Sequence, residues 1–389
     1  MKGPFFIGID IGTQGARVVL INIEGEMLAS AEEIFLLNEA SREEQSPSVW
    51  WEACFRGLKK LATEIKGHIE PMDIKGIAVT STSGTVIPLD KKNEPLHLFD
   101  HLPLEKEWLP QVLPSGEVLG NLDSKVAKEL NLSPMIQVAV GITDGCASQI
   151  ASGAINPGDW NTTIGTTMVV KGVTKNQIID PIGRLYSHRH PMGYWMPGGA
   201  SNTGADWVTR EFEGQMETLN EMAKKLIPTN HISYPLRQKG ERFPFIAACA
   251  EGFEPDGLSL EERYTANMEG VAYLERHALE LVSYLSGEEV KAVYTAGGGS
   301  KSEVWLKIRS NVLNLPLYKM KFVSGAVGAA VLAASKTHFS SLIEAGKALI
   351  CTEKIIYPDK RLSDRYEANY KKFIDLMKDK GYIKGGFGA

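Results

Sequence analysis

Phe5-Phe6-Ile7-Gly8-Ile9-Asp10-Ile11-Gly12-Thr13-Gln14-Gly15, continuing into Ala16-Arg17-Val18-Val19-Leu20-Ile21-Asn22-Ile23, is the stretch on which the reading of the fold turns. Two β-rich apolar runs, 5–10 and 17–23, flank the turn residues 12–15, which predicts a β-hairpin with a polar, glycine-rich tip. Such a tip aims backbone N–H groups at anionic oxygens. The Thr13 hydroxyl adds a donor, and a carboxylate at the strand end, Asp10, can hold Mg²⁺ through water. A plain hairpin turn with an incidental Asp fits the spacing equally well.

Working outward, the pattern returns after Asn156-Pro157-Gly158. Residues 160–163, the turn Ile164-Gly165-Thr166-Thr167 and residues 168–170 again read as strand, Gly-Thr turn and strand. Two copies this far apart predict two related domains, 1–157 and 158–389, facing each other. Two facing hairpins would clamp a β/γ-phosphate chain.

Between the copies, apolar residues at helical spacing over 49–65 precede a buried strand over 74–79, which ends in Thr80-Ser81-Thr82-Ser83-Gly84-Thr85. A further strand, 138–142, runs into Thr143-Asp144-Gly145 and a small-residue helix over 146–154. Asp144 fits a helix N-cap. It also fits a general base: an alcohol attacking phosphorus must shed its proton, and a fixed carboxylate within reach orients the hydroxyl and accepts it. Both roles can hold together.

In the second half a long helix is expected over 260–285 and a strand over 290–296. Gly297-Gly298-Gly299-Ser300 then opens a helix over 302–312. Glycines let a flat base or an α-phosphate approach the backbone, and the helix N-terminus favours negative charge. Residues 324–334 are small and apolar, suited to close helix packing, and 366–384 read as an amphipathic terminal helix.

Composition narrows the function classes. The 389 residues are 43% hydrophobic and 23% charged, with a formal net charge of −5. That balance suits a folded chain of two or three domains and lacks the cationic excess that nucleic acid or anionic membrane requires. Small-molecule partners are expected instead. The N-terminal residues read as a first strand rather than a signal peptide, and no apolar run approaches the ~20 residues of a membrane span, so a cytoplasmic protein is expected. Cys54, Cys146, Cys249 and Cys351 form no C-x-x-C pair and read as reduced core thiols. His188 and His190 read as solvent-face residues of a strand. Neither a Walker A spacing nor a G-x-G-x-x-G follows the first strand.

With these residues in place, the chain resembles the FGGY carbohydrate kinases, of the superfamily that includes actin and the hexokinases. Residues 6–15 look like the family's first phosphate motif, 163–167 its second and 295–305 its adenosine motif; Asp144, in Thr143-Asp144-Gly145-Cys146-Ala147, matches its catalytic base. Thr82-Ser83-Gly84-Thr85, Gly198-Gly199-Ala200-Ser201-Asn202 and Gly240-Glu241-Arg242-Phe243-Pro244 are most similar to the ribulokinase and xylulokinase-like branch. The resemblance implies an α/β chain of two actin-like (ribonuclease H-like) domains with a central cleft. It further implies an ATP- and Mg²⁺-dependent kinase of a small sugar or polyol, with a ketopentose such as ribulose or xylulose favoured.

On that reading Asp144 is the base; Asp10, Ser83 and Asp144 meet the sugar; Asp10 and Asp144 serve the metal. Gly12, Thr13, Gln14, Gly165 and Thr166 cradle phosphates, and Gly298, Gly299 and Ser300 contact the adenosine. The chain departs from the family after Asp100, where a long insertion with a Trp-Asp-x-Arg-like sugar motif is expected and residues 98–100 run almost directly into 105–110. A shortened first domain leaves two further possibilities: a non-catalytic, ATP-binding descendant of a kinase, and completion of the site by a second copy in a homodimer. An activator ATPase with an interfacial iron–sulfur cluster would need cysteines that the chain lacks.

Overall fold

The computed structural model describes residues 3–35, 46–82 and 110–387. In chain order the strands of the first part are β1 (Phe5–Gly12), β2 (Gly15–Asn22), β3 (Met27–Ile34), β4 (Ile74–Ser81), β5 (Val118–Asn121) and β6 (Gln137–Ala139). Those that follow are β7 (Asp159–Ile164), β8 (Met168–Gly172), β9 (Tyr186–Arg189), β10 (Trp195–Ala200), β11 (Ala292–Ala296), β12 (Leu317–Met320) and β13 (Thr352–Ile356). The helices are α1 (Pro47–Glu64), α2 (Ser124–Leu130), α3 (Asp144–Ala151), α4 (Asp206–Glu211) and α5 (Met216–Leu226). They continue with α6 (Leu260–Ser286), α7 (Glu303–Leu313), α8 (Gly325–Thr337), α9 (Leu342–Leu349) and α10 (Lys360–Asp379).

The chain divides into two compact units, and the division is discontinuous. Residues up to Ala151 form the first unit together with 322–351; residues 152–321 and those from Thr352 onward form the second. The expected cut near Pro157, with contiguous halves, therefore misplaces 322–351. The reason lies in α8, whose Gly-Ala sequence lets its backbone lie close against the first sheet.

In the first unit the described strands form a sheet of order β3-β2-β1-β4-β6-β5. Strand β1 pairs antiparallel with β2 and parallel with β4, and β4 runs parallel to β6. A central strand covered on both faces reads as a nearly continuous apolar run, and 5–9 is such a run. Side chains nonetheless alternate. Phe5, Ile7 and Ile9 enter the core shared with Ala53, Leu58 and Leu61 of α1. Phe6 turns the other way, toward the rings of His338 and Phe339 just beyond α8. Asp10 has the same parity as Phe6 and so points to the α8 face. There Ala78 of β4 and Ala139 of β6 pack on Ala329 and Ala333, the small side chains bringing helix and sheet together.

In the second unit the described strands form a sheet of order β13-β12-β11-β7-β8-β10-β9. Strand β7 pairs antiparallel with β8 and parallel with β11, which runs parallel to β12. The order β10-β8-β7-β11-β12 thus repeats, in strand sense, the order β3-β2-β1-β4-β6 of the first unit. The repeat seen in the two Gly-Thr turns is a repeat of topology.

The second core gathers Trp160, Trp207, Tyr264, Met268 and Trp305 between sheet and helices. Helix α6 starts at a capping box, in which Ser259 and Glu262 satisfy each other's backbone N–H, and stops at Gly287 in the left-handed region. Inside this unit Arg309 of α7 makes a fully buried two-pronged ion pair with Glu275 of α6, at 2.7 Å on each prong, and donates to Thr295 Oγ1 of β11 at 2.5 Å. No described helix is long and apolar enough to cross a membrane.

Candidate active site

The first unit collects its chemistry at the C-terminal ends of its parallel strands, where α/β sheets leave space for ligands. Gly12 pairs with Gly15, leaving Thr13 and Gln14 as a two-residue, exposed turn between β1 and β2. The Gln14 carbonyl accepts from Phe35 N–H at 2.8 Å, which anchors the turn to the chain leaving β3.

Asp10 stands opposite Thr80 of β4 and is buried, and its Oδ1 has no hydrogen-bond partner among the described residues. Burial, then the charge of Asp144, push its pKa up, with Arg17 acting in the opposite sense. The space it occupies exists because position 325 is glycine: a Cβ there would lie 2.6 Å from the Asp10 carboxyl. The carboxyl therefore rests on the first turn of α8, whose N-terminal N–H groups favour negative charge.

Asp144 is the first residue of α3, so Thr143 holds the cap position that the sequence reading offered to Asp144. The Thr143 carbonyl accepts from Cys146 and Ala147 N–H at 3.0 and 2.9 Å. The half-buried Asp144 side chain accepts from the adjacent Gly145 N–H at 2.6 Å. Thr143 bridges Ser81 at the end of β4, and Thr80 Oγ1 donates to the Ile142 carbonyl, so the approach to Asp144 is tied to the strand beside Asp10.

A buried carboxylate with an unpartnered oxygen, feeling the charge of a second carboxylate, is a suitable seat for a divalent cation. Among the described residues no third His, Cys, Asp or Glu joins them, so water and phosphate oxygens would complete the octahedron that Mg²⁺ prefers. Asp10 and Asp144 fit the ion in that sense.

In the second unit Gly165-Thr166-Thr167 forms the turn between β7 and β8, with Thr166 exposed and Gly165 N–H donating to the Thr167 carbonyl at 3.0 Å. The other glycine turn leaves the neighbouring strand at the same end, since Ala296 of β11 pairs with Thr163 of β7. Gly297 adopts φ 82° and would bring a Cβ within 2.5 Å of the Ile164 carbonyl, so only glycine fits there.

Of the three residues expected at the adenosine, Gly298 is exposed with open space over its Cα. Gly299 is buried against Ile164, and the buried Ser300 donates its hydroxyl to the Gly297 carbonyl at 2.7 Å. The last two shape the turn from within. Ser302 then caps α7 by accepting from Trp305 N–H.

Ser83 and the shortened segment after Asp100 lie outside the described residues. His190 is buried rather than solvent-facing. Its Nδ1 accepts from Met192 N–H at 3.1 Å, and burial lowers its pKa to about 4. Of the cysteines Cys54 and Cys146 are core residues, whereas Cys249 is exposed and Cys351 half-buried.

Sequence reasoning takes Gly325 only as a close-packing residue of a small-residue helix, and it passes over Glu241 as a site residue. The first was visible as a glycine in a small-residue helix, the second as one letter of Gly240-Glu241-Arg242-Phe243-Pro244.

Solved sugar kinases share this architecture. The xylulose kinase from Rhodospirillum rubrum superposes with a TM-score of 0.81 at 21% identity, covering 96% of this chain and 98% of that one. Glycerol kinase from Plasmodium falciparum, solved with ADP, superposes with a TM-score of 0.76 at 14% identity over 96% and 98%. The fold is that of the sugar kinases.

The chain belongs to the FGGY family of carbohydrate kinases, whose N-terminal domain matches residues 5–99 and whose C-terminal domain matches residues 160–337. It is thereby an ATP-dependent sugar kinase. Among its relatives, the xylulose kinase of Staphylococcus epidermidis is 24% identical over 482 aligned positions, covering 96% of each chain. That of Bacillus subtilis is 22% identical over 489 positions, again 96% of each. Both alignments are longer than the 389 residues of this chain, so these relatives carry segments without a counterpart here. The short N-terminal match agrees with this.

Proposed function

We propose that the protein transfers the γ-phosphoryl group of Mg-ATP to a hydroxyl of a ketopentose of the xylulose or ribulose kind, in the cytoplasm. The observation that carries the proposal is the pair Asp10, on β1, and Asp144, beyond β6, which follow the two parallel strands flanking β4, one carboxylate buried with an unpartnered oxygen and the other half-open on a helix N-terminus. The first unit supplies the base and the metal ligands, and its Gly12-Thr13-Gln14 turn adds phosphate donors. Gly165, Thr166 and Gly298 of the second unit serve the nucleotide, with Gly299 and Ser300 holding the turn in shape.

In the transfer, Asp144 orients the sugar hydroxyl and takes its proton as the new oxygen–phosphorus bond forms. The bond from the γ-phosphorus to the bridging oxygen breaks, and ADP leaves with that oxygen. Mg²⁺, when bound, neutralises charge on the phosphate oxygens. Asp10, fixed by β1 and the first turn of α8, and Asp144 would hold the ion.

The relatives named above are kinases, which favours transfer over ATP binding without chemistry. Asp144→Asn tests the base. The variant nearly preserves shape, so ATP binding by calorimetry should stay within a few-fold, while single-turnover transfer should fall by roughly two to four powers of ten. Near-normal transfer in a folded Asp144→Asn protein would remove Asp144 from the chemistry.

A further inference from the structure

The tip of the second hairpin does not stand alone. After β10 the chain turns back through residues 201–205, and three backbone hydrogen bonds fasten it to the hairpin: Ser201 N–H to the Met168 carbonyl at 2.9 Å, Met168 N–H to the Thr203 carbonyl at 2.9 Å, and Ala205 N–H to the Gly165 carbonyl at 2.7 Å. Both ends of the Gly165-Thr166-Thr167 turn are held in this way. The contact between them is also close, since a Cβ on Gly204 would lie 2.5 Å from the Thr166 carbonyl and 2.6 Å from the Thr167 backbone. The direction in which the turn presents its N–H groups therefore depends on where residues 201–205 lie.

One buried carboxylate holds those residues. Glu241 Oε1 accepts from the backbone N–H of Asn202 at 2.7 Å and of Arg242 at 2.9 Å. Its Oε2 accepts from Ser201 Oγ at 2.8 Å, Thr203 Oγ1 at 3.0 Å and the Tyr234 hydroxyl at 3.0 Å. Asn202 Nδ2 adds a bond to the Gly240 carbonyl at 2.9 Å. Glu241 is only 3% exposed, and among the described residues no Lys, Arg or His forms an ion pair with it. Its charge is balanced by N–H and O–H donors alone. An ionised carboxylate is acceptor-only and suits such donors, whereas an amide must turn two donors of its own toward them. Losing the acceptor would leave buried donors unpaired in residues 201–203, the cost that makes such networks hard to alter.

We infer that Glu241 is a positioning residue for the phosphates of ATP: it fixes residues 201–205 and through them the N–H groups of the Gly165-Thr166-Thr167 turn. The inference rests on the proposed reading of that turn as a phosphate grip.

The test compares three folded variants with the wild type by initial rates, with ATP varied at saturating sugar and sugar varied at saturating ATP. Glu241→Gln inverts one side of the network, Thr203→Val removes a single donor while keeping shape, and Thr166→Val alters the turn itself. Glu241→Gln should raise KM for ATP by about tenfold or more, on the scale of one hydrogen bond to a charged group, with KM for sugar within about twofold. Thr203→Val should move the same way by less, and it decides the matter alone where Glu241→Gln does not fold. If Thr166→Val raises KM for ATP but folded Glu241→Gln and Thr203→Val do not, the inference is wrong and the phosphate reading stands. If neither Thr166→Val nor folded Glu241→Gln and Thr203→Val raises KM for ATP, the phosphate reading falls and the inference with it. A parallel rise of both KM values in the Glu241 and Thr203 variants would mark a general loss of structure and overturn the positioning role.

Discussion

At the scale of single residues, a methyl group added at position 325 would meet the Asp10 carboxyl at 2.6 Å, so one of the two must shift. Gly325→Ala should therefore displace the carboxyl by part of an ångström. Misplacement on this scale costs up to about a hundredfold in rate. The expected outcome is a fall in kcat of roughly ten- to a hundredfold, together with a higher Mg²⁺ requirement, read from ADP release across a Mg²⁺ titration. An unchanged Mg²⁺ midpoint and kcat would remove Asp10 from the metal site. Asp10 and Asp144 stand out in the sequence because each is a carboxylate in or after an apolar run and close to a glycine, Gly12 and Gly145, a local pattern. Gly325 does not, because its partner lies more than three hundred residues away in sequence. Gly299 and Ser300 were read as facing a ligand because a glycine run reveals room without revealing its side; the room at Gly299 is taken by Ile164. His190 was read as exposed because strand alternation ends at Arg189, the last residue of β9, one residue before it.

At the scale of elements, α6, α7 and β11 meet at the buried pair of Arg309 and Glu275, with Thr295 as third member. Removing one partner of such a pair leaves an uncompensated charge, so Arg309→Met should lower stability by about 3–5 kcal/mol, seen as a shifted denaturant midpoint. A shift under about 1 kcal/mol would show that Glu275 finds its compensation elsewhere. Between α6 and α10, the wholly buried Glu269 accepts from Thr229 N–H at 3.0 Å, Thr229 Oγ1 at 2.5 Å and the Tyr366 hydroxyl at 2.8 Å. Burial nevertheless pushes its pKa up from 4.5 to about 7, those hydrogen bonds opposing. Between these two values the folded chain keeps a proton that the unfolded chain releases, so this group's contribution to stability is full below the lower value and is lost as pH rises through the upper one. Wild type should lose more stability than Glu269→Gln between pH 5 and pH 8, and equal losses would contradict the assignment. The long elements were legible because capping and periodicity are local: α6 begins at the Ser259 capping box, and α7 follows its cap Ser302. The short strand β5 was not, since its pairing is decided by a partner outside its own local sequence. The placement of α8 with the first unit was equally hidden, because a Gly-Ala helix states that it packs closely and not against which sheet.

At the scale of the whole molecule, two units share one strand order, and each ends its parallel strands in a glycine turn beside a helix start. The sequence disclosed this repeat through Gly12-Thr13 and Gly165-Thr166, and the family assignment agrees with it. The chain is shorter than the alignments with its relatives, and the resemblance places the deficit after Asp100, where sugar contacts are expected. With fewer fixed donors, an enzyme has fewer buried polar groups to leave unpaired against a wrong substrate, which is where most hydroxyl discrimination arises. A broad preference among small ketoses and polyols follows, with appreciable ATP hydrolysis by water. The most direct measurement is coupled ADP release by the wild-type chain over a panel of pentuloses, polyols and aldoses, each rate corrected for the sugar-free rate. The account predicts sugar-dependent release, highest with a pentulose, with kcat/KM spread over less than about a thousandfold across the panel. ATP binding without any sugar-dependent release would contradict it.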